Sequence, residues 1–136
     1  DGFCHVHKSI HSEDVKKAKE LHPDALVLAH PECTGDTLAL ADFVGSTSQI
    51  IDYATASDSK KFLICTEMGV FYELMQKNPD KKFFSVGHRQ FCPNMKKVSL
   101  DKVLEKLEDL KDEVILPEEM CEQAKKPLDE MLRLAQ

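Results

Sequence analysis

Two of the five cysteines lie in short motifs that could bind a metal ion or an iron–sulfur cluster. Cys4 opens the motif Cys-His-Val-His, which ends at His7, and Cys92 is followed directly by a proline. A proline after the cysteine recurs among iron–sulfur ligands. If residues 4–7 are extended, Cys4 and His7 face opposite ways, which argues against one zinc ion bound by both. Single cysteines donated by distant segments fit a cluster with one ligand per segment better.

The other three cysteines are interpreted as packing residues. Cys33 lies beside a predicted strand, Cys65 lies within one, and Cys121 lies on a predicted amphipathic helix. Lone cysteines in such places usually behave as small buried hydrophobes. An odd number of cysteines without a recognisable secretion signal also argues against a disulfide framework. We therefore expect a reducing, cytoplasmic environment.

Two further motifs offer polar groups for catalysis or binding. His30 and Glu32 follow the most hydrophobic predicted strand, and a glutamate near a histidine can supply an acid/base pair. Ser46 and Thr47 belong to the segment 45–48, which leads into a predicted helix. Hydroxyls and free N–H groups at a helix start can bind a carboxylate or a phosphate, but Ser and Thr are also common helix caps. Both interpretations of this segment stay open.

The elements that must position these groups are short apolar runs alternating with amphipathic stretches. Strands are predicted at 25–29, 43–44, 62–65, 83–86 and 114–116. The first helix is predicted to begin at a cap at Ser12 and to stop at Pro23, and further helices are predicted at 36–41, 47–56 and 68–76. Another helix is predicted to begin at Ser99 and to follow the apolar positions of 100–110. The last helix is predicted to begin at Pro117, with a break or kink at Pro127. This alternation indicates an α/β fold with a mostly parallel sheet, a three-layer α/β/α unit.

Polar groups follow four of the predicted strands, namely His30, the segment 45–48, Thr66 with Glu67, and His88. Open α/β sheets bind ligands beyond the carboxyl ends of their strands. At any single position, a polar residue in an ordinary loop is the commoner explanation. Four consecutive strand ends with chemically useful groups nevertheless indicate one shared site.

Composition and length limit the classes of function. The net charge of −6 and the interspersed basic residues argue against nucleic acid as the main partner. No apolar run approaches the roughly 20 residues that a membrane helix needs. The length of 136 residues suggests one domain or a piece of a larger one. Because the chain begins without Met, only three residues before Cys4, we expect it to be truncated.

Taken together, these motifs resemble the quinolinate synthase family, the A protein of bacterial NAD biosynthesis. These motifs keep the order and spacing of the family along nearly the whole chain. A series of motifs at matching positions is more specific evidence for a family than any single motif. The resemblance covers less than half of a typical member, its C-terminal part. The matching segments are 4–7, the Ala-Lys-x-x-His-Pro-Asp-Ala pattern of 18–25, 30–33, 41–48, 66–69 and 92–96.

The resemblance implies a fold of three similar α/β layers around a pseudo-threefold axis, each contributing one cysteine to a [4Fe–4S] cluster. Cys4 and Cys92 match two of these ligands, and the third would lie in the N-terminal region that this chain lacks. The implied domain covers 8–92, with flanking C-terminal helices at 93–136. Cys33 lies in a shared motif without being a ligand, and Cys65 stands where a small residue such as glycine is expected.

The activity implied by the resemblance is the condensation of iminoaspartate with dihydroxyacetone phosphate to quinolinate, phosphate and water. The cluster would act as a Lewis acid through an open iron, and L-aspartate oxidase would supply the iminoaspartate. Glu32 matches the proton-transfer residue, and His7 and His30 match residues that orient or bind substrate. Ser46 and Thr47 match positions that hold carboxylate or phosphate oxygens. The isolated chain is expected to be inactive because it lacks the third cysteine.

Two other classes of function stay open. One is a non-catalytic zinc-binding fragment that uses Cys4, His7 and Cys92. The other is an α/β phosphate-binding module without a redox metal, which depends on the segment 45–48.

Overall fold

Four short apolar segments pair into one sheet in the computed structural model, which describes residues 2–87 and 90–135. The strands are β1 (Leu26–Ala29), β2 (Phe43–Val44), β3 (Lys61–Cys65) and β4 (Lys82–Ser85). Their order across the sheet is β2-β1-β3-β4, and every neighbouring pair is parallel. In the centre, Leu26 is in register with Phe62, and Ala29 with Cys65. The predicted α/β fold with a parallel sheet is confirmed.

Both faces of the sheet are buried, and helices cover each of them. Val27 and Leu63 belong to the hydrophobic cluster on one face, and Leu28 and Phe62 to the cluster on the other. This division follows the two-residue period of a strand, and burial on both faces explains why the strands read as continuous apolar runs. The first cluster packs against α2 (Ser12–Leu21) and α3 (Gly35–Leu38), and the second against α4 (Thr47–Ala56) and α5 (Val70–Lys77).

The first motif is helical, so the extended conformation considered for residues 4–7 does not occur. The segment forms the short helix α1 (His5–Lys8), with Cys4 as its N-cap residue. The Lys8 N–H donates to the carbonyl of Cys4 at 3.1 Å and closes the turn. Val6 is fully buried and anchors this turn. Residues three apart on a helical turn share a side, so Cys4 and His7 no longer face opposite ways.

The start of α2 also differs from the prediction, while its end agrees. Ser12 is the first residue of the helix, and His11 holds the cap position. The Ser12 hydroxyl donates to Asp36 Oδ2 at 2.8 Å, a charge-assisted hydrogen bond that joins the start of α2 to α3. The helix ends at Leu21, as predicted from the stop at Pro23.

The chain divides into two compact units, Asp1–Lys96 with the sheet and Lys97–Gln136 with two helices. The helices of the second unit are α6 (Leu100–Asp109) and α7 (Glu118–Leu134), and a 3₁₀ turn covers Met95–Lys97. The Ser99 hydroxyl accepts from the Lys102 N–H at 3.5 Å, which confirms the helix predicted from Ser99. No helix among the described residues is both long and apolar enough to cross a membrane.

One prediction for the second unit is wrong, and another holds at most in part. Residues 114–116 have no regular secondary structure, because an apolar run forms a stable strand only where other strands pair with it. The helix α7 continues through Pro127, so a break near Lys126 does not occur, and the alternative of a kink stays a prediction. A proline removes one intrahelical hydrogen bond, and the good helix formers around it, such as Lys126 and Leu128, keep the helix together.

Candidate functional site

Residues from distant parts of the chain meet in a cleft of about 470 Å³ next to the ends of the strands. Cys4 and His7 enter it from the first turn, Thr47 from the start of α4, and Cys92 from the loop after β4. Thr66 and Glu67, which directly follow β3, and Tyr72 and Glu73 of the helix α5 are further polar residues of the lining. Of the polar groups expected together at the strand ends, Thr47, Thr66 and Glu67 line this cleft, whereas His30 is not among its lining residues. His88 lies outside the described residues.

The imidazole of His7 is held between two side chains at the edge of this cleft. His7 Nδ1 lies 2.9 Å from Glu32 Oε2, and His7 Nε2 lies 2.9 Å from Thr66 Oγ1. Only 7% of His7 is exposed, so neither ring nitrogen has an alternative partner in bulk water. The Thr66 hydroxyl can donate or accept, and it therefore suits either tautomer of the ring.

His30 adds a second imidazole to the same group. Its ring stacks on that of His7 with centroids 4.1 Å apart and planes inclined by 7°. His30 Nδ1 accepts a hydrogen bond from the Glu32 N–H at 3.2 Å and lies 3.6 Å from Glu32 Oε2. Burial, and then the neighbouring His7, hold the pKa of His30 below its ordinary value despite the opposing effect of Glu32. A neutral imidazole here can accept a proton.

Glu32 is the exposed member of this group. Half of its side chain is accessible, while one carboxylate oxygen contacts the buried His7. Pro31 precedes it in the loop after β1, where the backbone of Cys33 bonds back to the His30 carbonyl at 3.0 Å. A carboxylate that reaches solvent on one side and two imidazoles on the other can exchange protons with a bound molecule.

The Glu67 carboxylate holds the loop that contains Cys92 in place through hydrogen bonds. Glu67 Oε1 accepts from the Cys92 N–H at 3.2 Å, and Oε2 accepts from the Gly69 N–H at 2.6 Å. Lys96 Nζ lies 3.1 Å from Glu67 Oε1. Burial raises the pKa of Glu67, but the two N–H groups and the Lys96 ammonium lower it by more, so it lies below its ordinary value. An ionised Glu67 therefore holds the loop of the predicted cluster ligand.

Gln90 supports the same loop from inside the protein, and the sequence offered no signal for this role. Its side chain is buried and accepts from the Val86 N–H at 2.8 Å. Its amide nitrogen donates to the carbonyls of Ile64 and Thr66 at 2.6 and 2.7 Å. These three bonds tie the residues before Cys92 to the end of β3.

The segment 45–48 contains a helix cap beside a cleft residue. The Ser46 hydroxyl accepts from the Gln49 N–H at 3.3 Å, and Gln49 Oε1 accepts from the Ser46 N–H at 2.8 Å. These reciprocal bonds form a capping box. Ser46 is not among the residues that line the cleft, whereas its neighbour Thr47 is. The capping interpretation is therefore confirmed for Ser46, and Thr47 is the residue of this segment that lines the cleft.

The cysteines that were assigned to packing divide into two groups. Cys33 and Cys65 are buried, and the Cys33 thiol donates to the Cys65 carbonyl at 3.4 Å. Burial raises the pKa of Cys33 to about 11 and also raises the pKa of Cys65. Both are packing residues, as predicted. Cys121 is exposed on α7, so its assignment to packing is wrong; helical periodicity identifies a face but does not show that anything covers it.

One compact set of metal-binding atoms occurs among the described residues. Cys4, His7 and Glu32 each offer one atom, and these three atoms lie within 4.8 Å of one another. The sequence argument against a single ion bound by both Cys4 and His7 is therefore wrong, because it depended on an extended segment. Cys92 does not belong to this set, although it lines the same cleft.

Comparison with known proteins identifies the family. A sequence model described as quinolinate synthetase A protein matches residues 1–133. The chain is 52% identical over 134 residues to a quinolinate synthase of Caldicellulosiruptor bescii, covering 98% of this chain and 44% of that protein. It is 45% identical to quinolinate synthase 2 of Methanosarcina acetivorans, covering 98% and 43%. The chain thus spans less than half the length of these relatives. It belongs to the quinolinate synthase family.

Proposed function

We propose that this chain forms part of a quinolinate synthase, an enzyme of NAD biosynthesis that condenses iminoaspartate with dihydroxyacetone phosphate to quinolinate, phosphate and water. The observation that carries the proposal is that Cys4 and Cys92 line one cleft together with His7, which contacts Glu32. Relatives named quinolinate synthase match 98% of the chain, so the names apply to the segment that contains this cleft.

Cys4 and Cys92 are the two residues proposed to hold a [4Fe–4S] cluster. Both are half-buried in the cleft, so a bound group could reach their sulfur atoms. Cys33 and Cys65 are buried in the hydrophobic core, and Cys121 lies in the other unit. The third cysteine of the cluster would come from the part of the family sequence that this chain does not span. When bound, such a cluster supplies a Lewis-acid iron for a substrate oxygen.

Glu32 is proposed as the proton-transfer residue. Its accessible carboxylate can take a proton from bound substrate or return one to a departing water. His7 holds Oε2 of this carboxylate, and His30 contacts both its carboxylate and its backbone N–H. The two imidazoles therefore orient Glu32, and Nε2 of His30 is proposed as a further site for a substrate oxygen.

Thr47 and Ser46 are proposed to serve the substrate in different ways. Thr47 lines the cleft at the start of α4 and can donate to a carboxylate or phosphate oxygen. Ser46 keeps the first turn of that helix in place through its capping box. Its contribution to substrate binding is accordingly proposed to be indirect.

The wider context is proposed from the family as well. The domain 8–92 would be one α/β layer of a pseudo-threefold protein, with 93–136 flanking it. The substrates are small molecules, L-aspartate oxidase would supply iminoaspartate, and the setting would be cytoplasmic. Because the cluster would lack one ligand, the isolated chain is expected not to turn over.

The proposal can be tested on a protein that joins this chain to the remaining family sequence. Anaerobic assays would measure quinolinate formation and the iron content of each variant. Glu32→Gln should lose turnover but retain iron, whereas Cys92→Ser should lose both. Asp80→Asn, a change at an exposed ion pair with Lys60 that is not part of the cleft lining, serves as the control and should behave like the wild type. Full iron and full turnover in Cys92→Ser would overturn the proposal, and quinolinate formed by the isolated chain would overturn its expected inactivity.

A further inference from the structure

We propose that the outer edge of the strand β4 pairs with the same edge of a second copy of this chain and so forms a symmetric dimer. β4 is the last strand of the sheet and pairs with β3 on one side only. A twofold axis perpendicular to the sheet would make the two β4 strands antiparallel and join both sheets into one. This inference does not depend on the proposed function.

The backbone of β4 directs hydrogen-bonding groups toward its outer edge. The Lys82 N–H donates at 2.8 Å to the carbonyl of the residue that precedes β3, and the Val86 N–H donates to Gln90, whose amide bridges to β3. The N–H groups of 82 and 86 therefore face β3, and those of Phe83 and Ser85 alternate with them and face outward. In the part of the chain that the structure describes, nothing bonds to the backbone of Phe83 or Ser85 from outside.

Apolar side chains border this edge on both faces of the sheet. Phe83 belongs to the cluster on one face and Phe84 to the cluster on the other. Both line a depression of about 440 Å³, which meets a second one of about 260 Å³ at Ser85. Leu21 in the second depression is 77% exposed, and Met68 in the first is 49% exposed. Open strand edges with apolar borders are sites where a further strand can add.

One antiparallel register satisfies the outward groups of both copies. With Phe84 opposite Phe84 of the second copy, each Phe83 lies opposite a Ser85, and these residues exchange N–H···O bonds as hydrogen-bonded pairs. The two Phe84 residues then form a pair without hydrogen bonds, whose Cβ atoms lie about 4.5–5.5 Å apart. Each Phe84 ring already stacks on His22 with centroids 3.8 Å apart, so the two stacks would meet across the twofold axis.

The charges along the edge fit a second copy of this chain. Lys82 is exposed, and in this register it lies opposite Val86 of the other copy, not opposite the other Lys82. Its side chain shares a face with Phe84 and Val86, the face that packs against α2. Asp14 of α2 lies beside the next residue, since a Cβ at Gly87 would be 3.7 Å from Asp14 Oδ2. Each Lys82 would therefore approach Asp14 of the other copy, twice per dimer.

The dimer would leave the cleft accessible. None of the residues that line the two depressions along β4 is among those that line the cleft. Two strands of four residues with their borders form a small interface, and small interfaces are usually weak and transient. We therefore expect reversible association with a dissociation constant on the order of 10 μM.

Sedimentation equilibrium of the chain over roughly 1–300 μM would measure this constant. The chain is kept reduced so that the exposed Cys121 cannot link two copies. Lys82→Glu and Asp14→Lys should each weaken the dimer about tenfold, because two exposed ion pairs become repulsive. The double variant should return to within about threefold of the wild type, because the pairs are restored with reversed sign.

Ser85→Pro tests the backbone contact separately. It removes an outward N–H and leaves the bonds to β3 intact, so it should weaken the dimer at least about tenfold. Lys16→Glu is the matched control, because it makes the same change of charge as Lys82→Glu, on α2, beside a depression that contains no residue of β4. It should associate like the wild type. Circular dichroism would verify the fold of each variant.

The proposal is wrong if the chain stays monomeric over the whole range. It is also wrong if Lys82→Glu and Ser85→Pro leave the constant unchanged, as association through the exposed apolar residues of α6 and α7 would do. Failure of the double variant to recover would contradict the register. A monomeric protein after this chain is joined to the remaining family sequence would show that this sequence, not a second copy, covers the edge.

Discussion

The Glu67 carboxylate accepts a hydrogen bond from the Cys92 N–H at 3.2 Å, across 25 positions of sequence. The same carboxylate holds the Gly69 N–H and the Lys96 ammonium, and only 11% of its side chain is exposed. The loop that presents Cys92 to the cleft is therefore fixed by a side chain that lies two residues after Cys65, the last residue of β3.

Replacing Glu67 by Gln should destabilise the first unit in a pH-dependent way. The pKa of Glu67 in the folded chain lies below the ordinary value of 4.5, so folding favours the ionised form. Its contribution is fully present above pH 4.5 and is lost as the pH falls through the lower pKa of the folded state. Near neutral pH, Glu67→Gln should lower the free energy of unfolding by about 1.5–3 kcal/mol, the range for hydrogen bonds to a charged group. Urea unfolding at several pH values would measure this.

The control for this change is Glu73→Gln. Glu73 forms an exposed ion pair with Lys77 one helical turn away, and such pairs contribute only about 0.3–0.5 kcal/mol. A difference between wild type and Glu67→Gln that stays constant into the acid range would contradict the assigned role of the ionised carboxylate.

Ser46 and Thr47 should respond differently to the loss of their hydroxyls. Ser46→Ala removes the helix cap and should lower the free energy of unfolding by about 1 kcal/mol. Thr47→Val removes an exposed hydroxyl and should leave stability within about 0.5 kcal/mol of the wild type. In the full-length protein, Thr47→Val should instead raise KM about tenfold or more, because a hydrogen bond to a charged oxygen is lost. Equal effects of the two changes on both stability and KM would contradict this division.

Gly45 should not tolerate a side chain. A Cβ there would lie 2.7 Å from Phe43 Cε1 and 2.9 Å from Gln49 Cβ, whereas a Cβ at Gly35 would meet nothing within 4 Å. Gly45→Ala should therefore cost about 1–3 kcal/mol through overpacking, and Gly35→Ala should be neutral or stabilising by up to about 1 kcal/mol. Thermal unfolding of both variants tests the contrast, which fails if the two midpoints shift equally.

The cysteines should differ in their reactivity toward iodoacetamide. Burial raises the pKa of Cys33 to about 11 and also raises that of Cys65. Little thiolate therefore forms at mildly alkaline pH, and the thiolate is the reactive species. Cys121 is exposed and should be alkylated first. Peptide mass spectrometry over a time course would show this order, with urea-unfolded chain as the control, and labelling of Cys65 as fast as Cys121 would contradict it.

The strands could be predicted closely because their signal is local. The run that contains β1 is apolar throughout, and the observed strand differs from the predicted 25–29 by one residue at its start. The helix α1 has only four residues, which is too short to show a helical period. At 114–116 a strand was predicted that the structure does not contain, whereas α1 is present and was not predicted. A run of three apolar residues does not show whether a neighbouring strand pairs with it.

The sequence by itself determined the family, the parallel α/β fold and the two cysteine motifs, because these depend on residue types and their spacing along the chain. Only the tertiary structure decided which groups meet. Strand order and register bring Thr66 to His7 across 59 positions, and Glu32 to His7 across 25. A helical turn of four residues placed Cys4 beside that pair. Such contacts depend on how separate segments pack, which no local pattern of the sequence records.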